Sequence, residues 1–300
     1  MAGLRRLLDW RSDGQARREA IREKVIVITG ATSGIGQVAA ERLAAMGARM
    51  VLVARDKVRG EAALARLRER VPGIAHSIHY ADLSRLAEMK RVAAEIAAGE
   101  SRIDVLINNA GALFNSRQVT EDSLERTFAT NHMAYFVLTH GLRERLIASA
   151  PARVVNTASD AHNGAKLDCD DLQSANGYSG FKVYGRSKLC NILYTRELAR
   201  RSAGTGITAN CLHPGFVATR FGDQSGGLLS YGVHIAKTFA ISPEKGADTI
   251  VYLASAPEVA NVSGGYFYKC RPATPAREAQ DDATAKRLWL ETARLADIED

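Results

Sequence analysis

Val25-Ile26-Val27-Ile28-Thr29-Gly30-Ala31-Thr32-Ser33-Gly34-Ile35-Gly36 is the stretch whose reading decides the fold. Val25 to Thr29 is β-branched and almost wholly apolar, as a strand buried on both faces should be. Apolar residues then recur near helical spacing at Ile35, Val38, Ala39, Leu43 and Met46, so a helix is expected over 34–46, with Gly47 as its stop. Between strand and helix lie Gly30, Gly34 and Gly36. Glycines permit the tight turn and let the backbone approach a pyrophosphate closely, while the helix offers free N–H groups and its positive dipole end. A glycine trio can serve a turn for its own sake. A strand before it and a helix after it give the spacing its meaning.

Outward from this junction the same alternation repeats. Strands are expected at Arg49–Ala54, Ile74–Tyr80, Val105–Asn108, Arg153–Thr157, Thr208–Leu212 and Gly265–Tyr268. Helical patterns fill Glu61–Arg70 and Leu86–Ala98 between them. Repeated βαβ units with right-handed crossovers give an α/β fold. The expectation is a Rossmann-type, doubly wound, seven-stranded, mostly parallel sheet with helices on both faces. No linker or repeat interrupts residues 24–270, which read as one dinucleotide-binding and catalytic domain. Residues 1–23 read as a basic helical arm, and residues 271–300 as a loosely attached tail with one helix around Lys286–Leu295.

The chain has 300 residues, 46% hydrophobic and 24% charged, enough for a sizeable core. The net charge of +7 owes much to Arg5, Arg6, Arg11, Arg17, Arg18, Arg22 and Lys24. No aromatic residues alternate with that run, so nucleic acid is not expected. Cys169, Cys190, Cys211 and Cys270 have no CxxC spacing and no histidine cluster beside them, which predicts free thiols and no metal. Met1–Lys24 holds no signal-like apolar stretch, and no run reaches the length of a membrane span. A cytoplasmic protein is expected, with peripheral membrane contact and homo-oligomers left open.

Cofactor chemistry can be read at the strand ends. After strand two the sequence is Val53-Ala54-Arg55-Asp56. A carboxylate there suits the ribose 2′-hydroxyl of NAD, and an arginine suits the 2′-phosphate of NADP. Arg55 favours NADP(H); a register slip that used Asp56 would admit NAD(H). Asp82-Leu83 follows strand three, where the carboxylate either receives the adenine amino group or caps a helix. Asn109, Ala110 and Gly111 end strand four and can shape a ligand-binding turn. Proton chemistry falls on Tyr184 and Lys188, four apart and so on one helix face. A neighbouring cation favours the phenolate and suits the pair to proton exchange. Ser159 ends strand five at the carboxyl edge of the sheet. Asn131 sits in a helical stretch where asparagine has poor propensity, which calls for a water-holding or backbone-bonding role.

Together these residues resemble the short-chain dehydrogenase/reductase family over residues 24–270. The glycine junction with Thr32, Ser33 and Ile35, then Asn108–Gly111, Asn131, Ser159, Tyr184, Lys188 and Pro214-Gly215…Thr219, follow the family's order. Arg153–His162, Ser187–Ala199, Leu212–Gly215 and Val262–Cys270 are similar to its retinol dehydrogenase-like subgroup, which also shares the long Ser159–Tyr184 spacing. At Ala158 the chain lacks the first of the subgroup's two serines and keeps the second. The resemblance implies that Tyr184 is the acid/base and that Lys188 lowers its pKa and binds the nicotinamide ribose. It implies that Ser159 orients the carbonyl oxygen and Asn131 supports a proton path. Pro214, Gly215, Val217 and Thr219 would contact the nicotinamide end. The implied function is hydride transfer between NADP(H) and an alcohol or carbonyl on a hydrophobic substrate, retinoid-like or a lipid aldehyde or ketone. The insertion Ala161–Phe181, with His162, Leu167 and Tyr178, would wall that substrate. So would a flap after Thr219, with Phe221, Leu228, Tyr231 and Ile235. A ketoreductase for polyketide-like or steroid-like ketones stays open, as does a non-catalytic dinucleotide-binding redox sensor.

Overall fold

A computed structural model describes residues 14–215 and 242–299. The expected strand and helix at the glycine junction are β1 (Val25–Thr29) and α1 (Gly34–Ala45). Next come β2 (Arg49–Ala54), α2 (Lys57–Arg70), β3 (Ser77–Tyr80), α3 (Leu86–Gly99) and β4 (Val105–Asn108). A helical run follows that passes from Arg126–Phe128 through a π-turn, Ala129–Met133, into Ala134–Gly141, together α4. Then come α5 (Arg143–Ala148), β5 (Ala152–Thr157), α6 (Gly180–Arg201), β6 (Ile207–His213) and α7 (Pro243–Ser255). The chain closes with β7 (Tyr266–Tyr268), β8 (Arg271–Pro272) and α8 (Asp282–Ala296).

The strands form one sheet in the order β3-β2-β1-β4-β5-β6-β7-β8, parallel except for the last pair. The chain leaves β1 toward β2 and β3, then returns to place β4 on the other side. That reversal opens a crevice beyond the carboxyl ends of β1 and β4. Strand side chains alternate between two layers. Val25, Val27, Val51 and Val53 face α3, α4, α6 and α8, whereas Ile26, Ile28, Met50 and Leu52 face α1, α2 and α7. Both faces are therefore dry, which accounts for the unbroken apolar strands.

The sheet has eight strands, not seven. β8 is two residues long, paired antiparallel to β7 through a turn in which Lys269 and Cys270 both have positive φ (49° and 59°). Such turns are normally signalled by Asn or Gly, and neither is present. β3 begins at Ser77 rather than Ile74, because His76 turns its ring inward and its Nδ1 accepts the Met50 N–H at 3.0 Å. The C-terminal segment is not loosely attached. Ala285, Leu288, Ala293 and Ala296 are buried in the core, and Trp289 packs on Phe136 and Tyr194 with ring centroids 4.9 and 5.7 Å away. Arg196 and Arg200 pair with Asp282 at 2.8 and 2.6 Å. The helix supplies an apolar stripe that α6 needs covered. Among the described residues no helix is long and apolar enough to cross a membrane.

Candidate active site

A cleft of about 470 Å³ opens at the topological reversal. Its floor is the glycine junction. Gly30 has φ +69°, and a Cβ there would meet Ala110 Cα at 2.9 Å. A Cβ on Gly36 would stand 2.4 Å from the Gly30 carbonyl and from Asn109 Nδ2. Neither position admits a side chain, so at both the bare backbone packs directly against its neighbours. Thr29 joins this turn to β4, its Oγ accepting the N–H groups of Asn109 and Ala110 at 2.9 Å each. Asn109 returns the tie, with Nδ2 donating to the carbonyls of Thr29 and Gly30 at 3.1 and 3.3 Å. At the start of α1, Ser33 makes no capping bond and the first turn holds no carboxylate. The helix thus keeps its N–H groups and positive end for an external anion. Thr32, Ile35 and Gly111 line the same wall. These features fit a dinucleotide, and the fit rests on the bare cradle and the uncapped helix.

At the far end of β2, Arg55 is exposed on the rim and Arg59 lines the cleft beside it. Asp56 is turned to a different task. Its carboxylate caps α2 by accepting the Arg59 N–H at 2.8 Å, and the Arg59 guanidinium stands 3.6 Å away. That N–H bond holds the carboxyl below its usual range. Asp82 and Leu83 line the middle of the cleft, and Asp82 Oδ1 accepts the N–H and hydroxyl of Ser84 at 3.0 and 2.8 Å.

Ser159, Tyr184, Lys188, Pro214 and Gly215 line the other end. Tyr184 and Lys188 share one face of α6, and the Lys188 ammonium lies 5.6 Å from the centre of the Tyr184 ring. The Ser159 hydroxyl bonds the phenol and draws its pKa down, but burial dominates and pushes it up to about 12. The lysine is expected to lower that pKa; here the lowering comes from the Ser159 hydrogen bond, and burial outweighs it. Lys188 is itself lowered to about 7 by burial, with Nζ donating to the Thr157 carbonyl at 3.0 Å. Near neutral pH the phenol therefore holds its proton, and the lysine sits close to its own titration point.

Asn131 is not a cleft wall. It lies in the π-turn of α4, with Oδ1 accepting the Ala112 N–H at 2.7 Å and Nδ2 donating to the Ala112 carbonyl and to Ser187 Oγ, each at 2.9 Å. Of the two roles expected, the side chain performs the backbone-bonding one. π-turns recur where a helix is bent to serve a site. Here the π-turn carries the asparagine that ties the loop after β4 to α6.

Three expected substrate contacts lie elsewhere. His162 is buried away from the cleft, its Nδ1 donating to the Ser159 carbonyl at 2.6 Å and its Nε2 accepting the Ala276 N–H at 3.0 Å. Leu167 packs against the core, and Tyr178 donates its hydroxyl to the Phe114 carbonyl at 2.9 Å. Val217, Thr219 and Phe221 lie outside the described residues, as do Leu228, Tyr231 and Ile235. Conversely, Ala112, Leu113 and Phe114 add an apolar stretch to the cleft lining that the sequence reading missed, along with Arg59. The signal for Arg59 was available, since an Asp at a strand end followed by a helix puts the third residue on the first turn.

The sequence profile of the short chain dehydrogenase family matches residues 24–226. Human retinol dehydrogenase 13 is 39% identical over 282 residues, covering 92% of this chain and 85% of that protein. A crystal structure of an uncharacterised protein from Mycobacterium paratuberculosis superposes with a TM-score of 0.73 at 32% identity, over 93% of this chain and 96% of that one. A protein from Beutenbergia cavernae, described as an NAD(P)-dependent gluconate 5-dehydrogenase and solved with NADP at low occupancy, gives a TM-score of 0.65 at 25% identity. That superposition covers 83% of this chain and 95% of the other. The resemblance read from the motifs is borne out. The chain belongs to the short-chain dehydrogenase family, is similar to its retinol dehydrogenases, and is an NAD(P)-dependent oxidoreductase that interconverts alcohol and carbonyl groups.

Proposed function

We propose that the chain is an NADP(H)-dependent oxidoreductase for a hydrophobic alcohol or carbonyl compound, with Tyr184 as general acid/base. The observation that carries the reading is the meeting of a hydrogen-bonded Ser159–Tyr184 pair and a buried Lys188 at one end of the cleft whose other end is the glycine cradle. The cofactor, when bound, supplies or accepts the hydride. The protein's own part is to hold the substrate oxygen and to move its proton. Ser159 orients the oxygen toward the phenol. Tyr184, protonated near neutral pH, is set to donate that proton as a carbonyl is reduced. Lys188 in its protonated form would place positive charge beside the phenol, and its ammonium would hold the ribose of a bound cofactor. Asn131 holds the loop carrying Ala112.

Preference for NADP(H) is supported by Arg55 and Arg59 flanking an aspartate already engaged in capping. The neighbour solved with NADP agrees with this reading. A hydrophobic substrate is supported by Leu113 and Phe114 in the cleft lining and by the likeness to retinol dehydrogenases. Assays of aldehydes, ketones and their alcohols with both cofactors, followed by nicotinamide absorbance, test it. Reduction of long aldehydes with NADPH is the expected result; activity confined to small charged substrates with NADH would contradict it.

A further inference from the structure

Next to Asn131, the π-turn carries His132, which the mechanism above leaves unused. Its ring is wholly buried, tilted on Phe128 at 5.1 Å and edge-on to Tyr194 at 5.8 Å. A buried imidazole must find partners for both nitrogens. Nδ1 lies 3.4 Å from Asn191 Oδ1, and Nε2 lies 3.0 Å from the Thr292 hydroxyl. An amide oxygen only accepts, so Nδ1 carries the proton, and Nε2 accepts from Thr292. Burial pushes the imidazole down to about 4, so this neutral tautomer persists at neutral pH.

The consequence passes to Asn191. With its oxygen held by His132, its Nδ2 donates to the Thr157 carbonyl at 3.2 Å. That same carbonyl accepts Lys188 Nζ at 3.0 Å. Hydrogen bonds therefore run unbroken from Thr292 in α8 through His132 and Asn191 to the carbonyl that anchors Lys188. Remove the imidazole donor, and the Asn191 oxygen loses its partner, leaving the single 3.2 Å bond to the Thr157 carbonyl to hold the amide's orientation. A flipped amide would set its oxygen against the Thr157 carbonyl beside the lysine.

We propose that His132 is a positioning residue for Lys188, acting through Asn191 and the Thr157 carbonyl and held in place by Thr292 of the C-terminal helix. This rests on the reading of Tyr184 and Lys188 as the proton-handling pair.

The test compares His132→Phe and His132→Asn in the full chain. Phenylalanine keeps the ring and loses the donor. Asparagine loses the ring but places an N–H near the position of Nδ1. With decanal and NADPH, His132→Phe is expected to lower kcat about tenfold with KM within about twofold, the scale of a small misplacement of a reacting group. His132→Asn is expected to recover most of that kcat although its Tm falls below that of the phenylalanine variant. Asn191→Leu, which cuts the same connection at its next link, is expected to match His132→Phe. If activity instead follows Tm across these proteins, His132 is a packing residue and the proposal is overturned. A Tyr184→Phe control as active as wild type would overturn the parent catalytic reading and this one with it. With that control inactive, the outcome bears on His132 alone.

Discussion

Arg55 and Asp56 are adjacent, yet only the structure separates their tasks. In the sequence either could have met the ribose. The capping bond to the Arg59 N–H commits Asp56 to α2, and the rim is left to two guanidinium groups. Arg55→Ala is expected to weaken NADPH about 10- to 100-fold, the loss of one charge-assisted bond, and to leave NADH nearly unchanged. Equal losses for both cofactors in fluorescence titrations would contradict this. Lys188 gives a second expectation. Its folded pKa of about 7 lies below the ordinary lysine value of 10.5, so burial penalises its charged form. The penalty is full below about pH 7 and is relieved as pH rises toward the unfolded pKa. Lys188→Met is therefore expected to be more stable than wild type at pH 6.5, by an amount on the order of 3–5 kcal/mol, with the gap closing toward pH 10. Urea midpoints at several pH values check it; a gap independent of pH would contradict it. Tyr184 and Lys188 were legible because helix spacing alone puts them on one face. His162 was not, since a lone histidine near a site reads equally as a wall or as a strut. Here both its nitrogens are occupied by backbone.

The elements differ in how far their sequence speaks for them. β1 and α1 were readable because a two-face strand, a glycine turn and a helical stripe are all local signals. β8 was hidden by its brevity and by a turn built from Lys269 and Cys270. The π-turn in α4 left only an out-of-place asparagine as its trace. α8 was seen as a helix, but its docking was not, because its partner α6 lies far away in sequence and its ends are charged. The docking has a measurable weight. Leu288 is wholly buried between these helices, so Leu288→Ala is expected to cost about 2–5 kcal/mol in urea unfolding. A loss within about 0.5 kcal/mol, as for a surface substitution, would mean that α8 is only loosely held.

At the scale of the whole molecule, one cleft carries the chemistry. It runs from the rim at β2 that bears Arg55 and Arg59, across the glycine cradle, to the end that holds Ser159, Tyr184 and Lys188. The apolar residues Leu113 and Phe114 in its lining give an expectation for how substrates are ranked. Each methylene buried against Leu113 and Phe114 contributes about 0.8 kcal/mol, roughly three- to fourfold in kcat/KM. A series of straight-chain aldehydes is expected to rise by steps of that order until the wall is covered. A flat series would contradict a hydrophobic substrate and leave the oxidoreductase class intact. The class was legible in motif order, whereas the substrate was not, because walls come from loops whose residues carry no periodic signal.

In the proposed mechanism the Tyr184 hydroxyl moves the proton while the rest of the cleft binds. The most direct test of this is the kcat of Tyr184→Phe for NADPH-driven aldehyde reduction, measured beside wild type with NADPH affinity monitored by fluorescence. The variant loses one oxygen and keeps the ring. The expected result is a fall of about 10²–10⁴-fold in kcat, the usual contribution of a positioned acid, with NADPH binding retained. A variant within about tenfold of wild type would contradict the account, because the proton would then have another source.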